Sequence, residues 1–203
     1  MVRLTAALLL LSTSFAFADD TPGHSKHGSA FDSGMRTRPW LMKGIGESPF
    51  AIMTKNPEVQ KWFDQGTALL HSFWFEEAER SFRWCLKLEP ENPMAYWGMA
   101  RCGLNWFSIG SAEFDGKDVV RFTTFLKEAV KRKENASPRE RMYIEAWEKA
   151  FAPGEKNRTK VMVARLQEIV IACPMILKLR VFWRCLTLGK GVLLQTSCWF
   201  SRC

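Results

Sequence analysis

The chain has 203 residues, enough for one domain with a sizeable core or for part of a larger one, and its formal net charge is +8. That charge is unevenly placed: Arg3 lies in an apolar leader, and residues 175–203 hold five basic residues and no acid, so residues 19–174 carry 23 basic against 21 acidic side chains, a net +2. A body so near neutrality has no basic footprint for DNA or RNA, and six cysteines, three of them in residues 175–203, set out no disulfide framework.

The opening "MVRLTAALLLLSTSFAFADD" has one basic residue, an apolar run from Leu4, and Ala16-Phe17-Ala18 before two aspartates. This is the pattern of a secretory signal peptide over residues 1–18, with a run too short to favour a membrane span. The mature protein is therefore expected to be exported, periplasmic or extracellular, and no cysteine follows the cut to carry a lipid. Residues 19–56 are rich in Gly, Ser, Pro and charge and read as a flexible leader. His24 and His27 form an H-x-x-H, but Gly and Ser surround them and no third ligand is near, so solvated linker is favoured over a metal site.

From residue 57 the periodicity becomes helical. Trp62, Gly66, Leu69, Leu70 and Phe73 recur at helical spacing, and after a short turn Ala78, Phe82 and Cys85 do so again. The spacing predicts two helices in a hairpin, with Gly66 and Ala78 small so that the helices approach closely. The rings of Trp62 and Phe82 fill the space beside that contact, and Pro90 ends the second helix. Next, "NPMAYWGMARCGLNW" starts a helix near Pro93, and after the loop "SIGSAEFDGKD" its partner carries Val119, Phe122, Leu126, Ala129 and Val130 on one face. A third pair opens at Ser137, where Ser137 and Glu140 form a capping box with Pro138 at the first helical position. Its stripe is Tyr143, Ala146, Trp147, Ala150 and Phe151, and its partner turns Met162, Leu166, Ile169, Val170 and Cys173 inward.

Trp62, Gly66, Ala78, Phe82 and Pro90 stand at the separations of the tetratricopeptide repeat, and residues 57–174 resemble that family in three units, 57–92, 93–135 and 136–174. The likeness is closest in the first unit and looser in the other two. Departures include Gln65 where Leu is usual, Leu69 for Tyr, and Cys85 for a small residue. The string "FDQG…EAERSF…P…MAYWGMA" also resembles a group of exported bacterial proteins of this repeat type, usually several repeats longer and with no assigned reaction. The resemblance implies an all-α fold, a right-handed solenoid of antiparallel helix hairpins. It also implies ligand-facing positions on the first helix of each pair: Gln60, Phe63, Thr67, Leu70 and His71, then Met94, Trp97, Arg101, Leu104 and Asn105. Phe63 and Trp97 are the expected apolar anchors, although packing between repeats competes for Trp97. Thr67 lies between these positions, and Arg101, His71 and Asn105 are expected to hold a carboxylate or peptide backbone.

After Pro174 the pattern is lost: residues 175–203 have three cysteines, no acid and no amphipathic stripe. With codons that this sequence permits, restoring one lost C in the cytosine run at Cys173-Pro174 reads CPDDIEAKGFLALPHFGKG, another repeat start. A frameshift product and a genuinely divergent tail are the two readings, and neither gives the tail a fixed fold or a function.

Candidate chemistry is sparse. His71 has no nucleophile arranged beside it, Glu76, Glu77 and Glu79 read as a solvated helix face, and Cys85 reads as a small core hydrophobe. No haem, phosphate-loop or zinc motif is present, so no cofactor or metal is expected. The favoured function is an exported protein–protein interaction scaffold, not an enzyme, that binds a peptide or partner protein in a groove lined by the first helices. The alternative is a fragment of an exported enzyme or redox accessory whose active site lies outside this chain.

Overall fold

A computed structural model describes residues 29–34, 37–104 and 117–173. These residues contain seven α-helices, one 3₁₀ turn and no strand. The described residues fall into two units, divided between Ser33 and Gly34. In the first, the short helix α1 (Ser29–Asp32) is followed by Ser33, whose hydroxyl donates to the Ala30 carbonyl at 3.2 Å. His24 and His27, the signal-like leader and the tail beyond Cys173 lie outside the described residues.

The second unit holds α2 (Pro57–His71), α3 (Phe75–Leu88), α4 (Pro93–Gly103), α5 (Lys117–Lys131), a 3₁₀ turn (Lys133–Asn135), α6 (Pro138–Ala150) and α7 (Arg158–Ala172). Three of these helices begin alike, with a capping side chain followed by proline. Asn56 accepts from the Glu58 N–H, and Asn92, 2% exposed, accepts from the N–H groups of Met94 and Ala95. Ser137 and Glu140 complete the expected capping box. Each cap satisfies amides that the first turn leaves without a partner, and proline at the next position has no N–H to lose. Consecutive helices pack on one another from α2 to α7, and α4 also touches both α2 and α6. No helix among the described residues is long and apolar enough to cross a membrane.

Phe82 is the centre of the first three-helix contact. Its ring is fully buried, 5.3 Å from the ring of Phe63. A Cβ added at Gly66 of α2 would fall 2.7 Å from that ring, and one at Gly98 of α4 would fall 2.6 Å from it. The two glycines therefore make room for an aromatic side chain. The sequence had suggested instead that Gly66 and Ala78 let two backbones approach. Farther along, Phe122 of α5 packs 4.5 Å from Phe151 and 5.8 Å from Trp147, closing the contact with α6. Within the last helix Met162, Leu166 and Ile169 are buried, whereas Val170 and Cys173, expected inward, are only half-buried.

Glu79 does not lie on a solvated face. It is 4% exposed, and its carboxylate accepts from Arg83 at 2.8 Å and from Arg121 of α5 at 2.6 and 2.7 Å. A carboxylate this buried needs charged donors, and two arginines supply them. Cys85 is fully buried and burial raises its thiol pKa, which suits the inert core role expected of it.

The turn after α2 holds a further departure. Phe73 was expected to end the helical stripe. It lies instead beyond the helix with φ +63° and is 57% exposed. The Trp74 N–H donates to the Leu69 carbonyl and the Phe73 N–H to that of Leu70, the bond pattern of a Schellman cap. Such a cap needs a left-handed residue at the position of Phe73, where glycine meets no Cβ conflict. Phe73→Gly is expected to stabilise the protein by about 0.5–1 kcal/mol, the left-handed strain outweighing the added chain entropy. A thermal unfolding midpoint that stays the same or falls would contradict this.

Candidate functional site

The most organised polar arrangement in the second unit lies where the leader meets the helices. Residues 37–56 were expected to be flexible. From Trp40 onward they are instead tied down by side chains of α2 and α6, and we describe them as a strap. A polar, proline- and glycine-rich composition reads as linker because nothing local holds it, but here the partners come from far along the chain.

Two glutamines of α2 grip the strap in the same way. The Gln65 carboxamide accepts from the Met42 N–H at 2.8 Å and donates to the Trp40 carbonyl at 3.0 Å. The Gln60 carboxamide accepts from the Ile52 N–H at 2.9 Å and donates to the Phe50 carbonyl at 3.0 Å. In each case one side-chain amide spans the C=O of a residue and the N–H two positions on, as the N–H and C=O of one residue in a parallel neighbouring strand do. Gln65 is 6% exposed and also donates to the Ser81 hydroxyl, so both ends of its carboxamide are used. Gln65 thus has a structural role in holding the strap. Between the two grips the chain turns through Gly44 (φ +78°) and Gly46 (φ +79°), where other residues would be strained.

Other side chains complete the grip. Asp64 accepts from the Phe50 N–H at 2.9 Å, and Glu140 accepts from the Met53 N–H at 2.5 Å while its other oxygen accepts from the Ser137 N–H at 2.7 Å. Glu140 is 1% exposed, so its capping role and its hold on the strap share one buried carboxylate. Arg139 donates to the Ala51 carbonyl and places its guanidinium 4.9 Å from the centre of the Phe50 ring. That ring lies 5.8 Å from Phe63 of α2, 6.3 Å from Trp97 of α4 and 5.1 Å from Tyr143 of α6. Burial raises the Tyr143 phenol pKa, with Arg139 acting weakly the other way.

Glu140→Gln removes one of the strap's two charged acceptors and leaves either the Met53 or the Ser137 N–H, both in part-buried bonds, without its partner. The expected loss is about 1–2 kcal/mol. Urea unfolding measures it, and an unchanged midpoint would show that the carboxylate is dispensable.

The sequence-selected residues fall into three situations. Phe63 and Trp97 meet the same Phe50 ring, but Phe63 is fully buried and Trp97 is 8% exposed, so neither is open to an outside partner while the strap is seated. Thr67 is also buried, and its hydroxyl donates back to the Phe63 carbonyl at 2.9 Å. His71, the last residue of α2, is exposed, and Asn105 lies outside the described residues.

Arg101 is chemically the most conspicuous of them. Its guanidinium sits 4.2 Å from the centre of the Trp147 ring and 6.0 Å from that of Trp97. Its Nη1 is buried and meets no acceptor among the described residues. Burial lowers its pKa to about 10, so it stays charged at neutral pH. The nearby indole N–H of Trp97 is likewise buried and without an acceptor among the described residues. Of the other residues that the repeat resemblance had picked out, Trp62, Gly66, Ala78 and Phe82 are buried, and Pro90 lies in the short connection between α3 and α4. Among the described residues no group of three or more His, Cys, Asp or Glu is placed to hold a metal ion.

Comparison with models of protein families, with curated proteins and with solved structures finds no match to this chain.

Proposed function

We infer that this protein is an exported scaffold of tetratricopeptide-like hairpins that binds a peptide or partner protein on the face lined by α2, α4 and α6. The observation that carries the reading is the convergence of polar side chains from α2 and α6 on one stretch of backbone, whose Phe50 ring also meets Trp97 of α4. Gln60, Asp64, Arg139 and Glu140 all bond main-chain groups of residues 50–53. A face that can hold its own extended segment has the chemistry to hold another. In this reading the stacked pairs form a right-handed solenoid, with α2, α4 and α6 on its concave side. The signal-like residues 1–18 deliver the protein to the periplasm or the exterior.

Arg101 gives the face an anion-seeking point, because a desolvated guanidinium that meets no carboxylate among the described residues gains most from one supplied by a partner. Arg101→Ala, checked for native helicity, is expected to lose a partner that the wild type retains in a pull-down from the exported fraction. Retention of every partner by the folded variant would remove this face as the binding site.

A further inference from the structure

We propose that residues 50–53 occupy the seat of an external ligand, an extended peptide with an aromatic residue at one position and an aliphatic one two positions later, and that the strap must leave for such a peptide to bind. The inference rests on the binding-scaffold function above and specifies what that scaffold recognises.

The seat reads backbone first. Every polar bond that it makes with residues 50–53 goes to a main-chain group: the N–H groups of Phe50, Ile52 and Met53 reach Asp64, Gln60 and Glu140, and the carbonyls of Phe50 and Ala51 are met by Gln60 and Arg139. The side chains of these four residues are apolar and alternate as a strand does. Phe50 meets three rings and Ile52 is buried, whereas Ala51 faces outward and Met53 is 60% exposed. Recognition thus asks for an aromatic anchor and an aliphatic one, and tolerates variety at the two outward positions. It also asks for N–H groups at the first, third and fourth positions, so proline is excluded there. Proline at the second position is compatible, since among the described residues no hydrogen bond is made by the Ala51 N–H.

The strap is bound to its seat from within the same chain, so an outside peptide faces a high effective concentration of competitor. Weakening the internal anchor should admit the peptide. The probe is a fluorescent synthetic peptide with the sequence of residues 46–55, GESPFAIMTK, titrated into the full chain. It is expected to bind Phe50→Ala about tenfold or more tightly than wild type. Binding should survive proline in place of the peptide's alanine and be lost with proline in place of its isoleucine. It should also be lost when Gln60→Ala is added to the protein.

Equal binding by wild type and folded Phe50→Ala, no binding by either, or equal tolerance of both prolines would overturn the proposal. Dimerisation of the wild type without peptide uptake would assign the seat to the strap of a second copy, and would also overturn it. If Phe50→Ala does not fold, hydrogen exchange of the wild type decides. The amides of Phe50, Ile52 and Met53 should exchange at least tenfold faster than those of the buried cores of α2 and α6. Exchange only with global unfolding would make the strap a fixed part of the core and refute the proposal. A chain that captures its partner through Arg101 yet refuses the strap peptide loses this inference alone.

Discussion

Phe82→Ala should lower the unfolding free energy by about 3–5 kcal/mol, the range for deleting a fully buried aromatic side chain. The value should lie toward the upper end because the ring is clasped by two helices at glycine. Neither Gly66 nor Gly98 has a side chain that can swing in to fill the space, so the cavity can close only by moving α2 or α4. Denaturant unfolding followed by circular dichroism provides the measurement. A loss below about 1 kcal/mol would mean that the helices collapse onto the gap and that the ring is not the spacer described here.

Gly66→Leu tests the same contact from the opposite side, and about 3 kcal/mol of destabilisation is expected, the upper part of the usual range for overpacking. The ring carbon Cε1 of Phe82 would lie 2.7 Å from the new Cβ, and the ring cannot retreat because Gly98 already lies against it. Combining the two substitutions gives the sharper result. With alanine at position 82 the leucine enters vacated space, so the double variant should be less destabilised than the two single losses added together. Coupling of about 0.5–3 kcal/mol is the scale for residues in contact. Simple additivity would show that Gly66 is required for another reason.

Helices and their starts were legible because the signals are local. Ser137, Pro138 and Glu140 lie within four residues, and the spacing of Ala78, Phe82 and Cys85 identifies the buried side of α3 without knowledge of what it meets. What could not be read depended on distant partners or on backbone geometry. Glu79 looks like its acidic neighbours until Arg121 is brought beside it, 42 residues on. Phe73 keeps the helical spacing of the stripe, yet the chain has already turned left-handed there. The strap was hidden for a related reason: its hold comes from polar side chains on main-chain groups, which leaves only a four-residue apolar alternation in the sequence. Of the candidate site, the sequence selected Gln60, Phe63, Trp97 and Arg101 through the repeat resemblance, and it marked Gln65 only as a departure. The roles of Asp64 and Arg139 carried no such mark.

The bond between Met53 and Glu140 joins residues 87 positions apart. It also uses a carboxylate that, through Ser137, helps to start α6. As the chain leaves the ribosome, α2 can form and pair with α3 while the acceptor for Met53 has yet to be synthesised. Ala51 and Met53 therefore reach their final bonds only after α6 has been made, although Gln60, Asp64 and Gln65 of α2 can hold the rest of the strap earlier. Local helix pairing proceeds without the large loop closure that this contact requires. Until α6 appears, the Phe50 ring can rest on Phe63 and Trp97 but lacks Tyr143 and Arg139, so the nascent chain passes through an interval in which this aromatic cluster is incomplete.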